Sequence, residues 1–158
     1  MSIFRFGNPI RTGRFIGGDN IRVPIISAFQ SVDQSIDSSG FTNTAVTFDV
    51  IYKEVGFFHN AAGSVFTATR NGYYLICYMG QFAIAAGGAR TCAASIPRTP
   101  ASNPDTANVI LGNATYAVTN NLSIIANLLP GDTFSMNVGQ DSGSPLNLTS
   151  AALSVIWM

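Results

Sequence analysis

His59 is the only histidine in the chain, so any histidine-based triad would have to be built on it. It follows Phe57 and Phe58, and no carboxylate or nucleophile stands at a diagnostic spacing, so it reads as a structural or surface residue. Asp132 in PGDTF is a conceivable metal ligand, yet Pro-Gly-Asp ahead of a strand is ordinary turn chemistry, and calcium loops alternate several oxygen ligands. Asp141 in GQDSGSP has two readings, a solvated hairpin tip or one ligand of a calcium site shared between subunits. The glycines at 13, 17 and 18 are not followed by Gly-Lys-Ser/Thr, so no phosphate loop is indicated. Asn113, Asn121 and Asn147 fit the glycosylation pattern, but with no signal peptide ahead of them they read as Asn-rich turns and strands. Tyr52 and Tyr116 offer generic stacking and hydrogen bonding to a sugar. No catalytic residue, cofactor site or metal site is expected.

Cys77 and Cys92 raise the question of a disulfide. If Gly87-Gly88 closes a hairpin, Cys77 faces Arg98 and Cys92 lies roughly 20 Å further along, beyond the reach of any disulfide. Free thiols follow, in keeping with assembly in a reducing cytoplasm.

The elements that would carry these residues belong to one domain, since 158 residues suit a single core. Charged side chains make up 10% of the chain, against about 25% in an ordinary globular domain, and they sum to zero. No long-range field draws in nucleic acid or anionic lipid. With 47% apolar residues, so little charge leaves a monomer poorly protected from association, and subunit contacts are expected to cover part of the surface. The start, MSIFRFGNPIRTGRF, lacks a continuous apolar core, so secretion is not expected.

Residues 1–22 read as an arm or connector. They hold four of the eight basic residues, Arg5, Arg11, Arg14 and Arg22, together with Phe4, Phe6, Phe15, Ile16 and four glycines. Glycine and Pro9 weaken regular structure, while the phenylalanines are too apolar for a solvated tail, so the arm is expected to order on a partner; a frayed terminus is the alternative. From residue 23 to 158, short β-type runs alternate with Gly, Pro, Asn, Asp and Ser, which spells eight to ten strands of a sandwich or barrel. In AVTFDVIY, Val46, Phe48 and Val50 share one face and Thr47 and Asp49 the other. PRTPASNPDT (97–106), with three prolines, reads as an external loop.

GYYLICYMGQFAIAAGGA (72–89) has no such relief, for it carries no charge between Arg70 and Arg90. Its four glycines and Gln81 argue against a membrane helix, and its tyrosines, phenylalanine and isoleucines suit a strand covered on both faces. One cover is the opposing sheet; the second must come from elsewhere.

Phe48-Asp49, then Gly56-Phe57-Phe58, Phe66, and Gly72-Tyr73-Tyr74 running on to Tyr78, then Leu128 with Gly131-Asp132, and a last apolar strand from Leu153 to Met158 form an ordered set. Over residues 25–158 this set resembles the globular heads of complement component one q and their tumour-necrosis-factor relatives. Ile76 replaces a usual aromatic, Thr69-Arg70 stands where proline is common, and no collagen-like repeat occurs in residues 1–24. The resemblance implies an all-β antiparallel jelly roll of about ten strands that assembles as a homotrimer. The threefold interface is then expected on Tyr73, Tyr74, Tyr78, Phe82 and Trp157, and arm docking on Phe4, Arg5, Phe6, Arg11, Arg14, Phe15 and Ile16.

The function expected from this reading is structural and non-enzymatic: a trimer that decorates or builds a larger particle. Its partners are itself and, through the arm, neighbouring subunits or a capsid shell. A phage virion surface is the first expectation and a bacterial spore or appendage surface the alternative. A receptor- or glycan-binding adhesion module is the reading from another class. Neither nucleic-acid binding nor membrane insertion is expected.

Overall fold

The computed structural model describes residues 25–38, 44–59, 63–97, 106–112 and 115–158, and no helix occurs among them. The strands are β1 (Ile25–Gln30), β2 (Gln34–Ile36), β3 (Val50–Val55), β4 (Phe57–His59), β5 (Val65–Ala68), β6 (Gly72–Phe82), β7 (Ala89–Ser95), β8 (Thr106–Leu111), β9 (Val118–Leu128), β10 (Thr133–Gln140) and β11 (Leu146–Trp157). A front sheet runs β9-β6-β11-β1-β3, with β2 also paired to β11, and a back sheet runs β4-β5-β10-β7-β8. The ladders between these strands are antiparallel.

Period-two burial sets which side chains face the core. In VTNNLSIIANL of β9, Val118, Asn120, Leu122, Ile124, Ala126 and Leu128 are buried and the residues between them are not. The same alternation on β6, β11 and β10 delivers Tyr74, Ile76, Leu153, Val155, Phe134 and Met136 to the space between the sheets. Phe66 stacks on Phe134 at 5.2 Å between centroids and meets Phe48 at 5.8 Å, an aromatic column through the core. Val46 and Phe48 are fully buried although the ladder begins only at Val50; Val46 N donates to Met136 O instead. At PGD the chain turns with Gly131 at φ +93°, while Leu129 N donates to the Asp132 carboxylate at 2.9 Å, so Asp132 is a turn residue.

The expected Gly87-Gly88 hairpin does not form. β6 pairs with β9 and β11 in the front sheet, whereas β7 pairs with β8 and β10 in the back sheet, so residues 83–88 carry the chain across the sandwich. Gly87 and Gly88, at φ +72° and +67°, supply the left-handed backbone of that crossing. Arg90 fastens it. Its guanidinium is fully buried and donates to Gly87 O at 3.2 Å, Ala89 O at 3.1 Å and Ala85 O at 3.3 Å. Burial lowers its pKa, and Asp141, which accepts from Ala89 N, pulls the other way. The two cysteines are free, as expected, but for a different reason: Cys77 and Cys92 lie in different sheets, and Cys92 is in the core while Cys77 faces outward.

Tyr78 is 3% exposed and its hydroxyl has no hydrogen-bond partner; burial raises its pKa, with Cys92 adding to the effect. A buried hydroxyl without an acceptor costs stability. Tyr78→Phe is therefore expected to leave urea unfolding unchanged or to raise the stability by about 0.5–1 kcal/mol, whereas a hydroxyl that stabilised the core would show as a lowered midpoint.

Candidate functional site

Tyr74, Tyr78 and Phe82, expected at a subunit contact, are core residues. They share the even positions of β6 with Ile76 and are 0–3% exposed within the single chain, so they have no surface to offer a neighbour. Their aromatic bulk fills the space between the sheets. Tyr73, on the odd positions, does face outward. Trp157 is half-buried: its indole covers Gly72, where a side chain would collide with it, and Nε1 donates to Asn71 O at 3.3 Å. The docking residues Phe4, Arg5, Phe6, Arg11, Arg14, Phe15 and Ile16 lie outside the described residues, as does the 98–105 part of the proline-rich loop.

Three rows of outward positions cross the middle of the front sheet. In register, Ile125, Leu75, Ile156, Ile25 and Val55 stand side by side on β9, β6, β11, β1 and β3. Next comes a row of small or polar side chains, Ser123, Cys77, Ser154 and Ser27, closed by Lys53. Beyond it lie Asn121, Met79, Ala152 and Phe29, and the Tyr52 ring tilts against Phe29 at 5.1 Å. Lys53, on the edge strand, is the only charged side chain in these rows.

This relief is two apolar ridges with a trough between them. The trough holds two shallow depressions that share Ala152 and Ser154, one of about 270 Å³ at Cys77, Met79 and Asn121, the other of about 310 Å³ at Ser27, Phe29 and Tyr52. Ser123 Oγ lies 3.6 Å from Cys77 Sγ on its floor. Large apolar groups stand free on the ridges, where Ile125 is 63% exposed and Met79, Ile156 and Tyr52 are exposed as well, and Tyr73 is exposed beside them. An apolar, nearly uncharged face spanning five strands has the composition of a protein interface, with little in it that suits a small polar substrate.

Leu75, Met79, Ile125 and Ile156 were not singled out from the sequence, and Cys77 was considered only for a disulfide. Both parities of 72–82 are apolar, so the alternation identifies the strand without saying which set faces in. No helix among the described residues is long and apolar enough to cross a membrane.

No family model matches the chain, and no curated protein matches it. The fold recurs among solved structures. The globular domain of zebrafish complement 1qA protein superposes with a TM-score of 0.63 at 12% identity, over 85% of this chain and 97% of that one. Murine APRIL, crystallised at pH 5.0, superposes with a TM-score of 0.61 at 12% identity, over 87% of this chain and 100% of that one. Such identities speak for fold alone, and by its fold the chain is a jelly-roll sandwich like those of the complement 1q head and APRIL.

Proposed function

We propose that the chain is a non-enzymatic structural module that self-associates as a homotrimer through the outer face of its front sheet and builds or decorates a larger particle, a phage virion. The observation that carries this reading is the five-strand apolar row Ile125-Leu75-Ile156-Ile25-Val55, left open to solvent in the single chain. Covering it removes apolar surface from water, worth about 25 cal/mol per Å². Complement 1q and tumour-necrosis-factor-like folds form homotrimers, which supports three copies as the closed assembly. A ring of three needs a heterologous contact, one patch against a different patch. The edge strand β9 suits the second patch, since VTNNLSIIANL carries no charge that would ward off a neighbour.

Light scattering on the purified protein at micromolar concentration is expected to give three times the mass of the chain. A stable monomer there would sink the trimer. The particle reading is tested separately, by electron microscopy of structures co-purifying with the protein and by peptide mapping of their surface. Assembly supplies the function in this reading, and the arm of residues 1–22 supplies attachment.

A further inference from the structure

Asn71-Gly72, the only Asn-Gly pair in the chain, stands at the entrance to β6. Asn71 is exposed and precedes the ladder, and its side-chain amide has no hydrogen-bond partner among the described residues. Gly72 opens the strand opposite Leu128 of β9, at φ +155°. Trp157 keeps this position a glycine, because a Cβ there would collide with the indole. With no Cβ to shield it, the Gly72 nitrogen is open to the side chain that precedes it, and Asn-Gly is the sequence at which asparagine amides are lost most readily. The same indole acts on the same peptide group. Trp157 Nε1 donates to Asn71 O at 3.3 Å, and a donor on a carbonyl oxygen draws electron density from its amide nitrogen, which makes the Gly72 N–H more acidic.

We propose that Asn71-Gly72 is a self-modification site, at which Asn71 turns into isoaspartate and aspartate and Trp157 loses its anchor. Hydroxide takes the Gly72 N–H proton and the nitrogen attacks Cγ of Asn71. The N–Cγ bond forms, the Cγ–Nδ2 bond breaks, and ammonia leaves with a proton from water, which returns the hydroxide. Water then opens the resulting succinimide at either carbonyl, so the sum is one water in and one ammonia out, with no change of oxidation state. Opening at Cγ gives aspartate. Opening at the main-chain carbonyl gives isoaspartate, in which the oxygen that Trp157 held belongs to a free carboxylate and the chain runs one methylene longer through the former side chain. The indole then no longer meets both Gly72 and its acceptor. Either product adds a negative charge next to Tyr73, whose carbonyl accepts from Met158 N at 2.9 Å; both of these side chains are exposed. The change is one-way and paced by hydroxide, an age mark where β6 begins and β11 ends.

The full chain is aged folded at neutral and at mildly alkaline pH, then unfolded, digested briefly with trypsin at mildly acidic pH, where cyclisation is slow, and read by mass spectrometry. Residues 71–90 form one tryptic peptide in which Asn71 is the sole asparagine. That peptide is expected to gain the mass difference between an amide and an acid, at a rate proportional to hydroxide, and to accept a methyl group from an isoaspartyl methyltransferase. The gain in folded protein is expected to be at least as fast as in protein aged in guanidinium chloride, since the indole bond exists only in the fold. Trp157 is the one tryptophan, and its emission is expected to shift to the red in step with the modification. Asn71→Gln, whose longer side chain closes a ring far more slowly, is expected to keep both its mass and its emission. An unchanged peptide mass, slower modification in the folded than in the unfolded protein, modification with no change in emission, or a red shift shared by Asn71→Gln would each overturn the proposal.

Discussion

Ile125→Asp is expected to dissolve the assembly into folded monomers, whereas Tyr74→Asp is expected to leave no folded protein. The two positions face each other's opposite sides: Ile125 is 63% exposed on the outer ridge of the front sheet, and Tyr74 is fully buried between the sheets with its hydroxyl bonded to Arg70 O at 2.7 Å. An exposed substitution perturbs a lone chain by about 0.5 kcal/mol or less, so the Ile125→Asp monomer keeps its melting temperature. Within an assembly that covers the ridge, the same carboxylate is desolvated without a partner at every subunit contact, at a cost of several kcal/mol each. Aspartate at position 74 meets that penalty inside every chain and also leaves a large void, which exceeds much of the roughly 5–15 kcal/mol that a domain holds in reserve. Light scattering paired with circular dichroism separates the outcomes. An Ile125→Asp protein that still scatters as wild type would show that the front-sheet ridge is not the contact.

Arg90→Ala is expected to lower the unfolding free energy by about 3–5 kcal/mol, the largest effect of any single truncation outside the aromatic core. The guanidinium is the hydrogen-bond partner of three carbonyl oxygens, at Ala85, Gly87 and Ala89, in the segment where the chain changes sheets. Its removal strands those acceptors and opens a cavity at the end of the sandwich. Arg90→Lys retains the charge but replaces the two donor nitrogens, one on Gly87 O and Ala89 O and the other on Ala85 O, with a single ammonium, so it falls between wild type and Arg90→Ala. Urea titration followed by tryptophan fluorescence gives these values. A loss below about 1 kcal/mol for Arg90→Ala would mean that Gly87 and Gly88 hold the crossing unaided.

Much of the fold was legible because β-structure writes itself in alternation and in turn residues. The β-type runs NLSIIANLL, DTFSMNV and SAALSVIWM fall on β9, β10 and β11, although β9 and β11 begin three or four residues earlier than those runs, and Val46 and Phe48 point inward as their spacing required. What failed was whatever depended on distant parts of the chain. Gly87-Gly88 has the local chemistry of a hairpin, and nothing within ten residues reveals that the next strand joins the other sheet. Tyr74, Tyr78 and Phe82 were expected at the interface because the resemblance implies an aromatic and apolar strand face there, yet aromatics also fill cores, and the residues between them took the outer face. Arg90 was passed over because an isolated arginine in a sequence bears no mark of burial.

The placement of β11 between β6 and β1 decides when the molecule is able to fold. Ile25–Gln30 is made first among the described strands, but the partner that flanks it on the inner side, Leu146–Trp157, is made last. Until Trp157 has left the ribosome the front sheet lacks its middle strand, and β6 and β1 present raw edges and apolar faces to solvent. The front sheet therefore closes only once this strand is available, through contacts of long sequence separation that form slowly. During that interval every nascent copy shows its neighbours the same uncharged strands, so chaperone capture and a modest rate of synthesis govern the yield of soluble protein as much as the stability of the finished sandwich does.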